Sequence, residues 1–145
     1  MIEKARHYLQ QFFGYQNFRL GQEKMIELVL SGKSSLCVMP TGGGKSVCYQ
    51  IPALMLEGTT IVISPLISLM QDQVDTLLEM GTEAAYINSS LSQREYQDTL
   101  KNAQDGHYKL LYIAPERLES EDFRRLIALL NVPLIAVDEA HCISQ

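Results

Sequence analysis

Apolar positions recur along this chain at two spacings, and the change from one to the other marks its organisation. Ile2, Ala5, Leu9, Phe12 and Phe13 fall at helical spacing and stop at Gly14, which predicts a helix over 2–13. Met25, Ile26, Val29 and Leu30 predict a second helix from about Gln22 to Leu30, with Gly32 after it. Between them, residues 13–22 form a loop rich in aromatic and hydrogen-bonding groups. From Leu36 onward, short apolar runs predict strands over 35–39, 59–63, 84–88, 109–113 and 134–138, alternating with helices over about 45–56, 66–80, 92–104 and 121–130. Leu66, Leu69, Met70, Val74, Leu77 and Leu78 make one helical face closed by Gly81, and Ser92 to Glu95 is a capping-box pattern. Such βαβ alternation, with strands as continuously apolar as Thr60 to Ile63 and Leu110 to Ile113, predicts a parallel sheet covered on both faces. Ligands then belong at the strand C-terminal ends.

Composition narrows this picture. The chain has 145 residues, one domain's worth, and its 46% apolar and 20% charged content is ordinary for a soluble globular protein. No apolar window is long enough to span a membrane and the start lacks an apolar signal region, so the cytoplasm is the default location, with nucleoid association if the source is bacterial. Cys37, Cys48 and Cys142 are odd in number and lack metal-ligand spacing, so neither a disulfide framework nor zinc is expected; Cys37 and Cys142 read as core packing. His7 and His107 read as surface or helix-end residues. The net charge of −5 argues against a broad basic nucleic-acid face. Six Lys/Arg stand against three Asp/Glu in residues 1–50, but six against fourteen in 51–145, so any such contact is local.

Two motifs carry chemistry. After the apolar run Leu36, Cys37, Val38 come Met39, Pro40, Thr41, Gly42, Gly43, Gly44, Lys45 and Ser46. Three glycines let backbone N–H groups turn inward around a phosphate, and the helix that follows adds a favourable dipole. Lys45 would reach the outer phosphates and Ser46 would hold Mg²⁺. Met39 stands where the strict pattern has glycine. Ninety-two residues further on, the strand ending in Asp138 is followed by Glu139, Ala140 and His141. An isolated acidic pair after a core strand is ordinarily just solvated. Paired with a phosphate loop in this order, Asp138 suits Mg²⁺ and Glu139 suits the attacking water.

Taken together, these blocks resemble the N-terminal part of RecQ-type DNA helicases of superfamily 2. The resemblance runs through Phe13 to Tyr15 with Phe18, Arg19, Gly21 and Gln22, then Val38 to Ser46 and on to Leu54. It continues in Ser64 to Met70 with Asp72 to Val74, in Leu111 to Arg117 and in Ala136 to Gln145. Met39 matches this family's phosphate loop. The resemblance implies an α/β, RecA-like P-loop NTPase domain: a mostly parallel sheet with helices on both faces, incomplete at its C-terminal strands and preceded by two helices. In those terms, 1–34 is a helical segment carrying an adenine-recognition loop, and 35–145 a partial ATP-binding domain. Tyr15 would stack on the base with Arg19 in support, and Gln22 would hydrogen-bond its edge; Phe18 reads equally as core. Thr41, Gly42, Gly43, Gly44, Lys45 and Ser46 would bind ATP, and Lys45, Asp138, Glu139 and His141 would be catalytic. Ser46 and Asp138 would hold Mg²⁺, and His141 would couple the γ-phosphate site to DNA. Ser64, Pro65 and Leu66, with Pro115, Glu116 and Arg117, look like segments that touch single-stranded DNA through free N–H groups at helix starts; Arg117 could equally pair with Glu121.

By the same resemblance, a full-length parent would use ATP and Mg²⁺ to move 3′ to 5′ and unwind DNA in repair or recombination, with single-stranded and duplex DNA as partners and no membrane. A second motor domain would supply an arginine finger, worth roughly 10³–10⁵ in rate, so this chain alone is expected to show little ATPase and no unwinding. A further strand would lie between the acidic strand and the phosphate-loop strand. Two other readings stay open: an RNA helicase sharing the Asp-Glu-Ala-His signature, and a short non-enzymatic nucleotide-binding or interaction module.

Overall fold

Five four-residue strands, all parallel, make one sheet in the computed structural model, which describes residues 1–31 and 46–138 together with the backbone of 36–39. They are β1 (Leu36–Met39), β2 (Thr60–Ile63), β3 (Ala84–Ile87), β4 (Leu110–Ile113) and β5 (Ile135–Asp138), in the order β1-β5-β2-β4-β3. Each lies within one residue of its predicted span, inside the usual fraying of element ends. The last strand in sequence thus lies inside the sheet, between β1 and β2. Val62 of β2 sits in register with Tyr112 of β4 on one side and Ala136 of β5 on the other. Met39 pairs with Asp138, so β1 and β5 bond to each other directly at the place where the family resemblance implies an inserted strand.

Alternation along the strands decides which helix covers which face. Leu110 and Tyr112 face one way, with Val62 and Ala136, and meet α3 (Val47–Met55) and α4 (Ile67–Glu79) through Tyr49, Ala53, Met70, Val74 and Leu77. Leu111 and Ile113 face the other way, with Ile61 and Ile87, and meet α5 (Gln93–Gln104) and α6 (Glu121–Leu129) through Tyr96, Leu100, Ala103 and Leu126. Both faces are therefore covered, as the continuous apolar strands require.

A third cluster joins the N-terminal helices to the domain. Ala5 and Leu9, with Ile26 and Leu30 of α2 (Gln22–Leu30), pack on Val47 and Ile51 of α3. The predicted first helix divides into α1 (Ile2–Tyr8) and a single π-helical turn, Leu9–Phe13, closed by Gly14 at φ 75°. On α4 the expected six-residue apolar face is narrower: Met70, Val74 and Leu77 are buried, at the i, i+4, i+7 positions that meet the sheet. Leu66, Leu69 and Leu78 flank that stripe and stay exposed. Ser92 and Glu95 make the capping box that the sequence predicts.

Candidate functional site

Gln22 is the side chain around which the N-terminal loop is built. It opens α2 after Gly21, whose φ of 86° only glycine adopts readily, and its Oε1 accepts from the Arg19 N–H at 2.7 Å while its own N–H donates to the Arg19 carbonyl at 3.0 Å. This reciprocal pair fixes residues 19–22. Gln10 steadies the loop's other half through the Gln16 carbonyl at 3.1 Å. Phe18 turns into the cluster beneath, which settles it as packing, whereas Tyr15 is 53% exposed.

That loop forms one wall of a cleft of about 370 Å³. Tyr15, Asn17, Arg19 and Gln22 line one side, Ser46 and Gln50 the floor, and Asp72, Gln73 and Thr76 of α4 the other side. Residues from before and after the glycine run therefore share one cavity. Ser46 is the N-cap of α3, and among the described residues its side chain makes no capping hydrogen bond. Thr41, Gly42, Gly43, Gly44, Lys45, Glu139, His141 and Cys142, and the side chain of Cys37, lie outside the described residues. Asp138 ends β5, half-buried, beside the Tyr49 hydroxyl. Because Tyr49 follows Ser46 by one helical turn, the structure brings the two expected Mg²⁺ ligands to the same end of the sheet. Their hydroxyl and carboxylate are hard oxygen donors, the type that Mg²⁺ takes. Among the described residues no group of three or more His, Cys, Asp or Glu is arranged to hold a metal.

Behind the cleft lies a polar network that the sequence reading did not anticipate. The Tyr49 hydroxyl donates to Gln73 Oε1 at 2.7 Å and lies 3.2 Å from the Tyr112 hydroxyl, which accepts from Gln50 Nε2 at 3.0 Å. Burial pushes both phenols above their ordinary range, and Asp138 adds to the effect at each. The available signal was hydroxyl-bearing rings in otherwise apolar α3 and β4.

The segments after β2 and β4 also come together, since Ile63 and Ile113 are in register. They do not present themselves as expected. Ser64 is buried and its N–H donates to the Ile113 carbonyl at 3.1 Å, so the ladder runs one residue past β2 and takes the donor proposed for phosphate. Pro65 is half-buried and Leu66 exposed. Pro115, Glu116 and Arg117 form a 3₁₀ turn rather than the start of a long helix. Arg117 does not pair with Glu121, which bonds Arg125 at 3.2 Å; its guanidinium lies over the Tyr96 ring instead. His7 and His107 are exposed and Cys48 is buried. No helix among the described residues is long and apolar enough to cross a membrane.

Comparison with known proteins places this geometry. The chain is 58% identical to the ATP-dependent DNA helicase RecQ of Bacillus subtilis (strain 168), over all of its own length and 25% of the relative's. It is 54% identical to the ATP-dependent DNA helicase RecQ of Pasteurella multocida, covering 99% of this chain and 23% of that one. It thus spans about a quarter of the length of these curated relatives. The crystal structure of a hypothetical ATP-dependent RNA helicase from Sulfolobus tokodaii superposes with a TM-score of 0.63 at 22% identity, over 96% of this chain and 50% of that one, which shows a shared fold. The family described as DEAD/DEAH box helicase matches residues 19–145, and the chain belongs to that family.

Proposed function

We propose that the chain is the N-terminal ATP-binding segment of a RecQ-like DNA helicase, comprising a base-reading helical segment over 1–34 and part of a RecA-like motor domain over 35–145. The observation that carries the reading is the cleft in which Tyr15, Arg19 and Gln22 face Ser46 at the start of α3. A planar ring and an amide on one wall suit a purine, and the helix start on the floor suits its phosphates. In this reading Tyr15 stacks on the base, Gln22 reads its edge and Arg19 supports both. The Thr41 to Ser46 loop wraps the phosphates, Lys45 neutralises them, and Glu139 orients and deprotonates the attacking water. Ser46 and Asp138 would hold Mg²⁺, which when bound offsets the charge that develops on the phosphates.

DNA as the track is supported by the relatives, whose names describe DNA helicases. Leu66, Pro115, Glu116 and Arg117 are its proposed contacts here, and His141 would link them to the γ-phosphate. A second motor domain is the proposed partner that completes hydrolysis, and the cytoplasm the proposed setting. By itself the chain is expected to bind ATP with Mg²⁺ and turn it over little. The test is equilibrium binding of a fluorescent ATP analogue with Mg²⁺ to this chain and to Lys45→Ala. Loss of at least about tenfold in affinity is expected, since a charge-assisted phosphate contact is worth roughly 1.5–3 kcal/mol. Equal affinity rejects the reading.

A further inference from the structure

The two buried tyrosines occupy positions where phenylalanine would pack as well. Tyr49 and Tyr112 are both fully buried, with ring centroids 6.4 Å apart at 65°; Tyr112 is flanked in register by Val62 and Tyr86, and Ala136 lies beyond Val62 on β5. Asp138, two residues beyond Ala136 on the same strand, points to the same face one step closer to the strand ends.

The hydrogen bonds then have a fixed direction. Gln50 Nε2 can only donate, so it occupies an acceptor site on Tyr112. Tyr49 directs its proton to Gln73 Oε1, so in the contact between the two hydroxyls Tyr112 is the donor. Tyr49 is left with one proton and two acceptors that compete for it: Gln73, which lines the cleft, and Asp138. Gln50 and Gln73 both reach the cleft, so the network runs from the cavity wall to the carboxylate without a break.

We propose that Tyr49 is a positioning residue for Asp138: its single hydroxyl proton is shared between Gln73 in the cleft and the Asp138 carboxylate, with Tyr112 and Gln50 fixing its orientation. The proposal rests on the nucleotide reading of the cleft. A ligand that draws the Gln73 amide toward itself frees the Tyr49 O–H to direct its hydrogen bond to Asp138 and sets that carboxylate's rotamer. Occupancy of the cleft and affinity for the cation are thereby coupled.

The test titrates Mg²⁺ into the chain with a fluorescent ATP analogue, for wild type, Tyr49→Phe, Tyr112→Phe and Lys45→Ala. Loss of one oriented hydrogen bond should raise the Mg²⁺ concentration for half-maximal effect by about three- to tenfold in Tyr49→Phe. Tyr112→Phe should shift it the same way by less. A purely structural role would lower the thermal midpoint and leave the Mg²⁺ midpoint where it is. A wild-type Mg²⁺ midpoint in folded Tyr49→Phe overturns the proposal while leaving the nucleotide reading intact. If Tyr49→Phe does not fold, Tyr112→Phe decides by the same criterion. Wild-type chain that fails to bind the analogue, or Lys45→Ala that binds it equally, overturns the nucleotide reading and this inference with it.

Discussion

The Arg117 guanidinium carbon lies 4.9 Å from the centre of the Tyr96 ring, and the Tyr96 hydroxyl donates to Asp122 at 2.8 Å. One tyrosine of α5 therefore ties the 3₁₀ turn after β4 to the first turn of α6. Arg117→Ala should cost about 0.5–1 kcal/mol, the usual worth of a cation–π contact near the surface. Urea unfolding of Arg117→Ala and Tyr96→Leu, alone and combined, checks it. If the two effects simply add, the contact contributes nothing.

Tyr15 and Phe18 should separate binding from folding. Tyr15 is 53% exposed, so Tyr15→Ala should change stability by no more than about 0.5 kcal/mol. Its affinity for an ATP analogue should nevertheless fall about three- to tenfold, the scale of one aromatic stacking contact. Phe18, packed against the N-terminal cluster, should behave in the opposite way. Phe18→Ala should lose about 2 kcal/mol or more, because the ring leaves a void beneath the loop. Thermal melts beside fluorescence titrations compare the pair.

Gly58 is a steric requirement. Its φ is 104°, and a Cβ there would collide with the Asn131 carbonyl, the same oxygen that accepts from the Thr59 N–H at 2.9 Å. Gly58→Ala combines backbone strain with the loss of that bond and should destabilise by about 2 kcal/mol or more. A urea midpoint unchanged from wild type would show that the turn rearranges freely.

Thr60 offers a change in the opposite direction. Among the described residues its hydroxyl is the buried side-chain polar atom that has no hydrogen-bond partner. Thr60→Val removes that group while keeping the branched shape that suits β2, and should be neutral or stabilising by up to about 1 kcal/mol. A lower melting temperature would count against it.

Glu95 gives a pH signature. The Ser92 backbone N–H, and then the Ser92 side chain, hold its carboxyl below the ordinary value of 4.5. A depressed folded-state pKa stabilises above the unfolded value, and that contribution disappears as the pH falls through the folded one. The gap in urea midpoint between wild type and Glu95→Ala should be complete at neutral pH and shrink as the pH falls through the depressed folded-state pKa, below the ordinary value of 4.5. A gap independent of pH would assign the effect to something other than the charge.

The alternation of elements was legible because it is written in local periodicity, and the Ser92 cap because its partners lie three residues apart. Pairing across distance was not. Tyr49 and Tyr112 are 63 positions apart, and nothing beside either announces the other. Leu66, Leu69 and Leu78 have the right spacing for an inward stripe, but the sheet is reached by only the middle of that arc. The misassigned N–H of Ser64 has a similar origin: a strand that bonds one residue further than its apolar run cannot be seen from that run. Arg117 had an acid four residues away and found an aromatic ring on another helix.

The place of β5 between β1 and β2 has a temporal consequence. Among the described residues, β1 has only β5 as a sheet neighbour, and β5 is separated from it by almost a hundred residues of chain. On a ribosome, β2, β3 and β4 can associate as they emerge, whereas β1 must wait, with its hydrogen-bonding edge unmet, until residues 135–138 leave the exit tunnel. The pairing that completes β1 is thus made by the same strand that delivers Asp138. A nascent chain halted before that point would hold β1 without its sheet neighbour and with the edge that β5 covers still open.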